Sequence, residues 1–231
     1  MSAHFSDRSL KFLASLKRHN QREWFQPRKA IYEQELKTPL LDVIGEVNAA
    51  MQRFAPEHVR DPARCAMRIY RDIRFSKNKL PYKTNVAAWW ARSGLEKTSG
   101  GGFYFELNTE GITCAAGVYL PDKEQTLAIR RMLLERHAEY RKLIAAKALR
   151  TAALVEFDGL RMTRAPKGFP AHHAADDLLR QRQWGVAAHL PVAAALGPDL
   201  VRQITACFKA AAPLVNLLNS PLLPAPRRPL F

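Results

Sequence analysis

The sequence has few of the features that mark disulfide-linked, zinc-binding or membrane proteins. Its 231 residues include three cysteines, Cys65, Cys114 and Cys207, which lie far apart in apolar surroundings. This arrangement argues against a disulfide framework and against a zinc site, and it is typical of a reducing compartment. No apolar run approaches the ~20 residues of a membrane-spanning helix, and the first residues contain no apolar signal segment. We therefore expect a cytoplasmic protein with no membrane association.

Motifs that carry cofactor or hydrolase chemistry are also absent. The sequence contains no phosphate-binding loop, no dinucleotide fingerprint and no H-E-x-x-H zinc motif. The pair His172-His173 has no acid or cysteine at metal-ligand spacing, so capping or surface histidines are the simpler interpretation. Ser76 lacks the G-x-S-x-G setting of a hydrolase nucleophile. We expect neither a metal nor a cofactor, and the sequence leaves catalytic residues and oligomeric state undefined.

Acidic residues are scarce beside basic ones, with 21 Asp and Glu against 36 Lys and Arg and a net charge of +15. The excess is concentrated between Met67 and Thr84, which holds one acid, Asp72, and six cations: Arg68, Arg71, Arg74, Lys77, Lys79 and Lys83. Cations this close repel one another unless an anion neutralises them. The segment therefore needs an anionic partner, either inside the protein or outside it.

The side chains of this segment alternate with a period of two. Apolar residues occupy the odd positions Met67, Ile69, Ile73 and Phe75, and polar residues occupy the even positions Arg68, Tyr70, Asp72 and Arg74. This alternation predicts a half-buried strand. Arg71 falls on the apolar face, so we expect either a bulge that redirects it or a carboxylate that pairs with it. A turn after Ser76 then brings Lys77 and Lys79 to the end of the strand.

The remaining pattern predicts long helices, then antiparallel strands, then helices. We expect helices from Ser6 or Asp7, from about Arg22 to Phe54 with a kink or new cap at Pro39, from Asp122 to Arg150 in two pieces, over 174–182 and over 198–219, and strands at 86–91, 103–107, 112–118 and 184–189. This order indicates an α+β fold, mostly an antiparallel sheet flanked by long N- and C-terminal helices. We expect one domain over residues 1–220 and a Pro-rich extended or disordered tail over residues 221–231.

Four motifs together resemble a known family. They are N-Q-R-E-W-F at 20–25, R-I-Y-R-D-I-R-F-S-K-N-K-L-P-Y-K-T at 68–84, G-V-Y-L-P at 117–121 and P-K-G-F at 166–169. In this order they resemble the conserved-hypothetical family called domain of unknown function 2461, found in bacteria and fungi. The resemblance extends from about Phe5 to Asn219. It implies a single α+β domain with the same basic block, and it implies no established activity.

The basic block allows two interpretations. As a ligand site, its arginines offer paired N–H groups to phosphate or carboxylate, and its lysines supply point charge. The predicted ligand-binding residues are Arg68, Arg74, Lys77, Lys79, Tyr82, Lys83 and Lys167, the last presented by the turn over 166–169. As a structural network, Arg71 would instead pair with Asp72 or Glu23. These three residues are therefore structural or acid/base candidates.

Three functions are compatible with these residues. The first is a basic pocket that binds an anionic small molecule, phosphorylated or nucleotide-like. The second is nucleic-acid binding, in which the same cations contact phosphates while Tyr70, Tyr82 or Trp89 stack on bases. The third is an enzyme acting on a phosphorylated substrate, with Asp72 or Glu23 carrying a proton. We favour the pocket because the cations lie on one predicted strand and the turn that follows it.

Overall fold

A five-stranded antiparallel sheet lies at the centre of the computed structural model, which describes residues 3–74, 76–95, 100–158, 160–170 and 172–223. Within these residues the strands are β1 (Val86–Ala91), β2 (Gly102–Leu107), β3 (Gly111–Val118), β4 (Val155–Glu156) and β5 (Trp184–Pro191), in the spatial order β1-β2-β3-β5-β4. The predicted hairpin joins β2 to β3. Asn108 fixes its turn, because its Oδ1 accepts the N–H groups of Glu110 and Gly111 at 2.7 and 3.1 Å.

Among the described residues, helices precede and follow the strands, and three of them lie between β3 and β5 along the chain. They are α1 (Asp7–Arg18), α2 (Arg22–Phe25), α3 (Lys29–Tyr32), α4 (Thr38–Met51), α5 (Pro62–Cys65), α6 (Lys123–Ile144), α7 (Lys147–Thr151), α8 (Asp176–Leu179) and α9 (Leu200–Asn219). Ser6 caps α1 as predicted, since its Oγ accepts the N–H of Ser9. The α+β prediction is confirmed. Most of the predicted Pro-rich tail, residues 224–231, lies outside the described residues.

The stretch from Arg22 to Phe54 is interrupted beside Pro39, where a kink or new cap is predicted, and it divides into more pieces than the sequence indicates. A π-helical turn, Glu33–Lys37, separates the short helices α2 and α3 from α4. Pro39 is the physical reason, because it has no N–H to donate to the carbonyl of Glu35 four residues earlier. Ser9 on α1 takes that role, and its hydroxyl donates to the Glu35 carbonyl at 2.6 Å. The interruption is thus stabilised by a contact that is distant in sequence.

The inner face of the sheet carries the hydrophobic core. Trp90 on β1, Phe105 on β2 and Cys114 on β3 are each 0% exposed. Helix α9 packs on β3, and α4 packs on both β1 and α9. The end of α9 is tied to the start of β2, because the Asn219 side chain donates to the Gly101 carbonyl at 3.1 Å and accepts its N–H at 2.7 Å. The two helices therefore cover the inner face over β1 and β3.

The strand predicted between Met67 and Phe75 is wrong for the described residues of that segment, which exclude Phe75. The backbone forms only two isolated bridges, Ala66 with Ala88 and Tyr70 with Tyr82. Met67 donates its N–H to the Ala87 carbonyl on β1 at 2.8 Å, but Arg71 donates to the Pro81 carbonyl at 2.9 Å. The chain therefore leaves the edge of the sheet after one contact and pairs with its own returning arm.

Candidate functional site

Most of the predicted site residues lie on one loop, residues 66–83, which we call the basic loop. Its two arms meet where Arg71 donates to Pro81 and where the Lys83 N–H donates to the Ile69 carbonyl at 2.7 Å. Asn20, which follows α1 and is 6% exposed, holds the returning arm in place. The Asn20 amide donates to the Tyr82 carbonyl and accepts the Tyr82 N–H, each at 3.0 Å. Asn20 thus replaces a neighbouring strand as the partner of this backbone.

The tip of the basic loop is held by contacts within the loop. Arg74 donates from Nε and a terminal nitrogen to the two carboxylate oxygens of Asp72, at 3.0 and 2.8 Å. These hydrogen bonds lower the pKa of Asp72 to about 2. Lys79 donates to the Ile73 carbonyl at 2.9 Å. Lys77 is exposed. Arg74 and Lys79 therefore have structural contacts, and their predicted ligand-binding role stays a prediction.

The outer face of the sheet, opposite the core, forms a cleft of about 1050 Å³ with the basic loop, and we call it the outer cleft. The loop contributes Met67, Arg68, Tyr70, Asp72 and Lys83, and the sheet and its flanks contribute Trp89, Tyr104, Glu106, Thr113, Ala115, Gly117, Tyr119, Phe157 and Ala187, among others. Of the ten predicted site residues, three thus line this one cavity: the ligand-binding candidates Arg68 and Lys83 and the acid/base candidate Asp72.

Small residues form the floor of the outer cleft and aromatic rings form its sides. Ala115 lies beside Ala187 in the register of β3 and β5. At one side, a Cβ built on Gly102 would lie 2.7 Å from the ring of Trp89, so this ring covers the glycine. At the other side, the ring of Phe157 covers Gly185 in the same way, at 2.6 Å. Glycine at both positions leaves room for the two rings to lie close to the backbone.

Hydrogen-bonded polar groups continue the floor along β2. Tyr104 donates its hydroxyl to Glu106 Oε2 at 2.5 Å, and Asn108 donates to Oε1 at 3.1 Å. Burial and the neighbouring carboxylate raise the pKa of Tyr104 well above its usual value, so the phenol stays protonated. Thr113 on β3 hydrogen-bonds His189 on β5 at 3.1 Å. The Glu106 carboxylate is thus fixed in orientation at the edge of the cleft.

Arg68 and Lys83 of the basic loop, together with Arg64 on α5, give the outer cleft its positive charge. Among the described residues none of these three side chains has a salt bridge of 4.0 Å or less. Burial lowers the pKa of Lys83, the positive charge of Arg68 lowers it further, and the carboxylate of Glu106 opposes both effects. These three cations therefore line the cleft together with two carboxylates, Asp72 and Glu106.

A second, smaller cavity of about 250 Å³ lies between the basic loop and α2 with the turn that follows it. Its lining residues are Arg22, Gln26, Tyr70, Arg71, Ile73, Pro81 and Tyr82. Tyr82 is 1% exposed and stacks on Phe25 with ring centroids 4.1 Å apart. Arg71 and Ile73 thus face this cavity, while Arg68 and Asp72 face the outer cleft. The predicted alternation is therefore retained for Arg68, Arg71, Asp72 and Ile73, but not for Met67, which lines the outer cleft, or for Tyr70, which lines both cavities.

The expected carboxylate partners of Arg71 are not observed in the described part of the chain. Asp72 pairs with Arg74 instead. Glu23 is exposed, and it forms no salt bridge there. The hypothesis of an Arg71 pair with either acid is therefore wrong, because α2 presents Arg22 rather than Glu23 to the cavity beside Arg71.

The structure does not bring Lys167 to either cavity. It lies exposed in the predicted turn, where Gly168 has a φ of 85°. His173 nearby accepts the N–H of Ala175 at 3.1 Å, and His172 is exposed. Within the described ranges, no group of three or more His, Cys, Asp or Glu residues could hold a metal ion. In the same residues, no helix combines the length and the apolar character that crossing a bilayer requires.

Sequence reasoning missed Tyr104 and Glu106 as site residues. Both lie in F-Y-F-E-L at 103–107, where their period-2 alternation with buried residues was a usable signal. A polar residue such as Glu106 on one face of a central strand requires either solvent or a cavity beside it. This alternation shows which face of β2 carries Tyr104 and Glu106. It does not show that the basic loop covers that face, because that contact depends on the tertiary fold.

Comparison with known proteins identifies the family. Residues 8–217 match the family model described as conserved hypothetical protein (DUF2461). No curated protein and no solved structure gives a significant match. The matched region includes the basic loop, both cavities and all five strands. The chain therefore belongs to the conserved hypothetical protein family DUF2461.

Proposed function

We propose that the outer cleft binds an anionic ligand with a phosphate group and a flat apolar body, as in a nucleotide. The carrying observation is that Arg68 and Lys83 line one cleft of about 1050 Å³ with the rings of Trp89 and Phe157. Ligand pockets are commonly ~300–1,000 Å³ in volume, mostly apolar, with a few convergent polar groups. The outer cleft has this size and this composition.

Arg68 and Lys83 suit the phosphate end of such a ligand. Arginine offers paired N–H donors that match two phosphate oxygens, and lysine adds a point charge. The lowered pKa of Lys83 reflects burial and repulsion by Arg68, which a bound anion would offset. Ligand binding is therefore expected to raise the pKa of Lys83.

The other polar groups of the cleft suit a ligand that also carries hydrogen-bond donors. The Glu106 carboxylate repels a second anionic group but accepts N–H or O–H groups. Trp89 and Phe157 offer flat apolar surfaces, and stacking of a base on an aromatic side chain contributes about 1–3 kcal/mol. A base and a ribose supply such a ring and such donors, which favours a nucleotide-like body over a sugar phosphate.

An enzymatic role on a phosphorylated substrate would require a proton carrier at this site. Asp72 is a poor base near neutral pH, because its pKa is lowered to about 2. Glu23 lines neither cavity. The hydrogen-bonded pair of Tyr104 and Glu106 is the better candidate, because it lies in the cleft beside Lys83. Catalysis would thus be an addition to the binding site rather than a separate function.

Nucleic-acid binding is the less favoured alternative. An extended phosphate backbone requires a row of exposed cations along a surface. Lys77 and Lys167 are exposed but line neither cavity. Arg68 and Lys83, which form no salt bridge within the described ranges, instead line one cleft with aromatic rings and two carboxylates. This arrangement fits a compact ligand better than a long strand.

A thermal-shift screen with matched charge variants tests the proposal. The probes are AMP, glucose 6-phosphate and a ten-nucleotide single strand. We expect AMP to give the largest stabilisation, and Arg68→Ala and Lys83→Ala each to weaken its binding about tenfold or more, since hydrogen bonds to charged groups contribute about 1.5–3 kcal/mol. Lys77→Ala and Lys167→Ala remove the same charge outside both cavities, so they should leave AMP binding nearly unchanged.

Salt dependence separates the two kinds of partner. Binding of a single strand should weaken with a log–log slope of about −0.7 for each phosphate contacted, whereas a nucleotide with one phosphate should show a slope no steeper than about one unit. If all four alanine variants lose oligonucleotide affinity equally, and that affinity falls steeply with salt, the result would instead favour nucleic-acid binding. Absence of binding by all three probes would contradict the proposal.

A further inference from the structure

The smaller cavity beside α2 has a charge that the proposed function of the outer cleft does not use. Arg22 and Arg71 both line it, and no carboxylate side chain is part of its lining. In the described residues neither arginine forms a salt bridge of 4.0 Å or less. Two guanidinium groups at one small cavity repel each other and favour an anion between them.

The backbone around Arg71 is fixed, so its position at this cavity is a stable feature. The Arg71 N–H donates to the Pro81 carbonyl, and the next residue of that arm, Tyr82, is clamped by Asn20 through both backbone groups. Tyr82 also stacks on Phe25 of α2. The loop and α2 therefore hold the two sides of the cavity together without occupying it.

The remaining lining residues indicate which kind of anion fits. Ile73 and Pro81 are apolar, Tyr70 and Tyr82 contribute aromatic rings, and Gln26 contributes an amide. The volume of about 250 Å³ lies below the ~300–1,000 Å³ of common ligand pockets, so this cavity favours a small ligand. An oxyanion attached to a small apolar group satisfies both the guanidinium pair and the carbon-rich walls.

We infer that this cavity is a second binding site, separate from the outer cleft, which takes the carboxylate of a small apolar or aromatic acid. The paired N–H groups of Arg71 and Arg22 match the two oxygens of a carboxylate. The ring of the acid packs against Tyr70 and Pro81. Tyr70 lines both cavities, so its ring separates the two sites and contacts both ligands.

Titration with benzoate, followed by NMR chemical shifts, tests this site. We expect saturable binding in the millimolar range to the wild-type protein, as is typical of a small fragment, and at least tenfold weaker binding to Arg71→Ala. Arg71→Lys keeps the charge but loses the paired donors, so binding should be intermediate. Arg68→Ala changes the outer cleft only and should keep benzoate binding within about twofold, as should Lys77→Ala.

Several results would overturn the inference. Benzoate that does not saturate, or that binds Arg71→Ala as well as wild type, would remove the site. Tighter binding of inorganic phosphate than of benzoate would contradict the assignment to a carboxylate. If Arg71→Ala does not fold, Arg22→Ala provides the same test, because Arg22 is exposed and contributes little to the core. Loss of AMP binding in Arg68→Ala with benzoate binding retained would show that the two sites are independent.

Discussion

The two faces of the central sheet are made by the same strands, yet they carry different kinds of side chain. On β3 the buried residues Ile112, Cys114 and Ala116 alternate with the half-exposed Thr113 and Ala115. The inner set packs on α9, while the outer set lies under the basic loop. An ordinary half-buried sheet would expose its outer face to solvent. Here a loop and two aromatic rings enclose it, which leaves a cavity where a third layer would lie.

The inner face therefore carries the hydrophobic core, and the proposed ligand site lies on the opposite face. Inner residues such as Phe105 and Trp90 are fully enclosed, so their truncation should reduce stability. Outer residues at the centre of the floor are small, so enlarging them should fill the cleft and reduce binding. Substitutions of neighbouring residues on one strand should therefore change different properties, stability on the inner face and ligand binding on the outer face.

The largest effect is expected for Phe105→Ala on the inner face. Phe105 is 0% exposed and packs in the core, so its truncation should lower the free energy of unfolding by about 3–5 kcal/mol. Urea denaturation measures this change. Thr113→Ala on the outer face is the control and should cost less than about 1 kcal/mol. An equal decrease in the free energy of unfolding for the two variants would contradict the assignment of the core to the inner face.

Asn20→Ala should have the next largest effect, because it removes the clamp on the basic loop. The N–H and carbonyl of Tyr82 would lose their partners in a buried setting, which costs about 1–3 kcal/mol. Urea denaturation measures the loss, and binding of AMP should weaken as well, since Lys83 follows Tyr82. Gln21→Ala, at an exposed neighbouring position, is the control. Weaker stability with unchanged AMP affinity would mean that the clamp does not position Lys83.

Ala115→Leu should separate binding from stability. Ala115 is half-buried on the floor of the outer cleft, so a larger side chain extends into the cavity without entering the core. We expect AMP binding to weaken at least tenfold, about 1.4 kcal/mol, while the free energy of unfolding changes by less than about 1 kcal/mol. Calorimetry and urea denaturation provide the two measurements. Unchanged affinity would exclude the floor of the cleft as a ligand contact.

The smallest effect concerns the tip of the basic loop, where Asp72 and Arg74 pair with each other. The carboxyl of Asp72 should titrate near its lowered pKa of about 2, below the usual ~3.9. Because the pKa is lowered in the folded state, any stabilisation is present above ~3.9 and is lost as the pH falls through about 2. NMR titration of the carboxyl carbon measures this pKa. Arg74→Ala should raise it, and no change would argue against the pair.

Sequence patterns predicted the sheet well because its alternation is local. The pattern at 103–107 and 112–118 correctly placed β2, β3 and their turn, and Pro39 marked the interruption before α4. The parity of the basic loop also assigned Arg68 and Arg71 to different faces, although the predicted strand was wrong. Side-chain direction follows the extended backbone itself, whereas a strand also requires a partner.

The partners that form the site could not be predicted, because they are distant in sequence. Asn20 replaces the missing strand for Tyr82 across 62 positions. Trp89 and Glu106 reach the basic loop only through the register of the sheet. The pairing of Asp72 with Arg74 rather than Arg71 depends on a local turn that the predicted strand would not contain. The charge pattern identified the basic loop, and tertiary contacts determine which of its cations line a cavity.

The most direct test of the central claim uses two neighbouring tryptophans on opposite faces of β1. Trp89 lines the outer cleft, while the Trp90 indole N–H is buried and donates to Asn48 at 2.9 Å. In a titration with AMP followed by ¹H–¹⁵N NMR, the Trp89 indole signal should shift and saturate, and the Trp90 signal should stay in place. Absence of a saturable Trp89 shift, or a Trp90 shift of equal size, would contradict binding in the outer cleft.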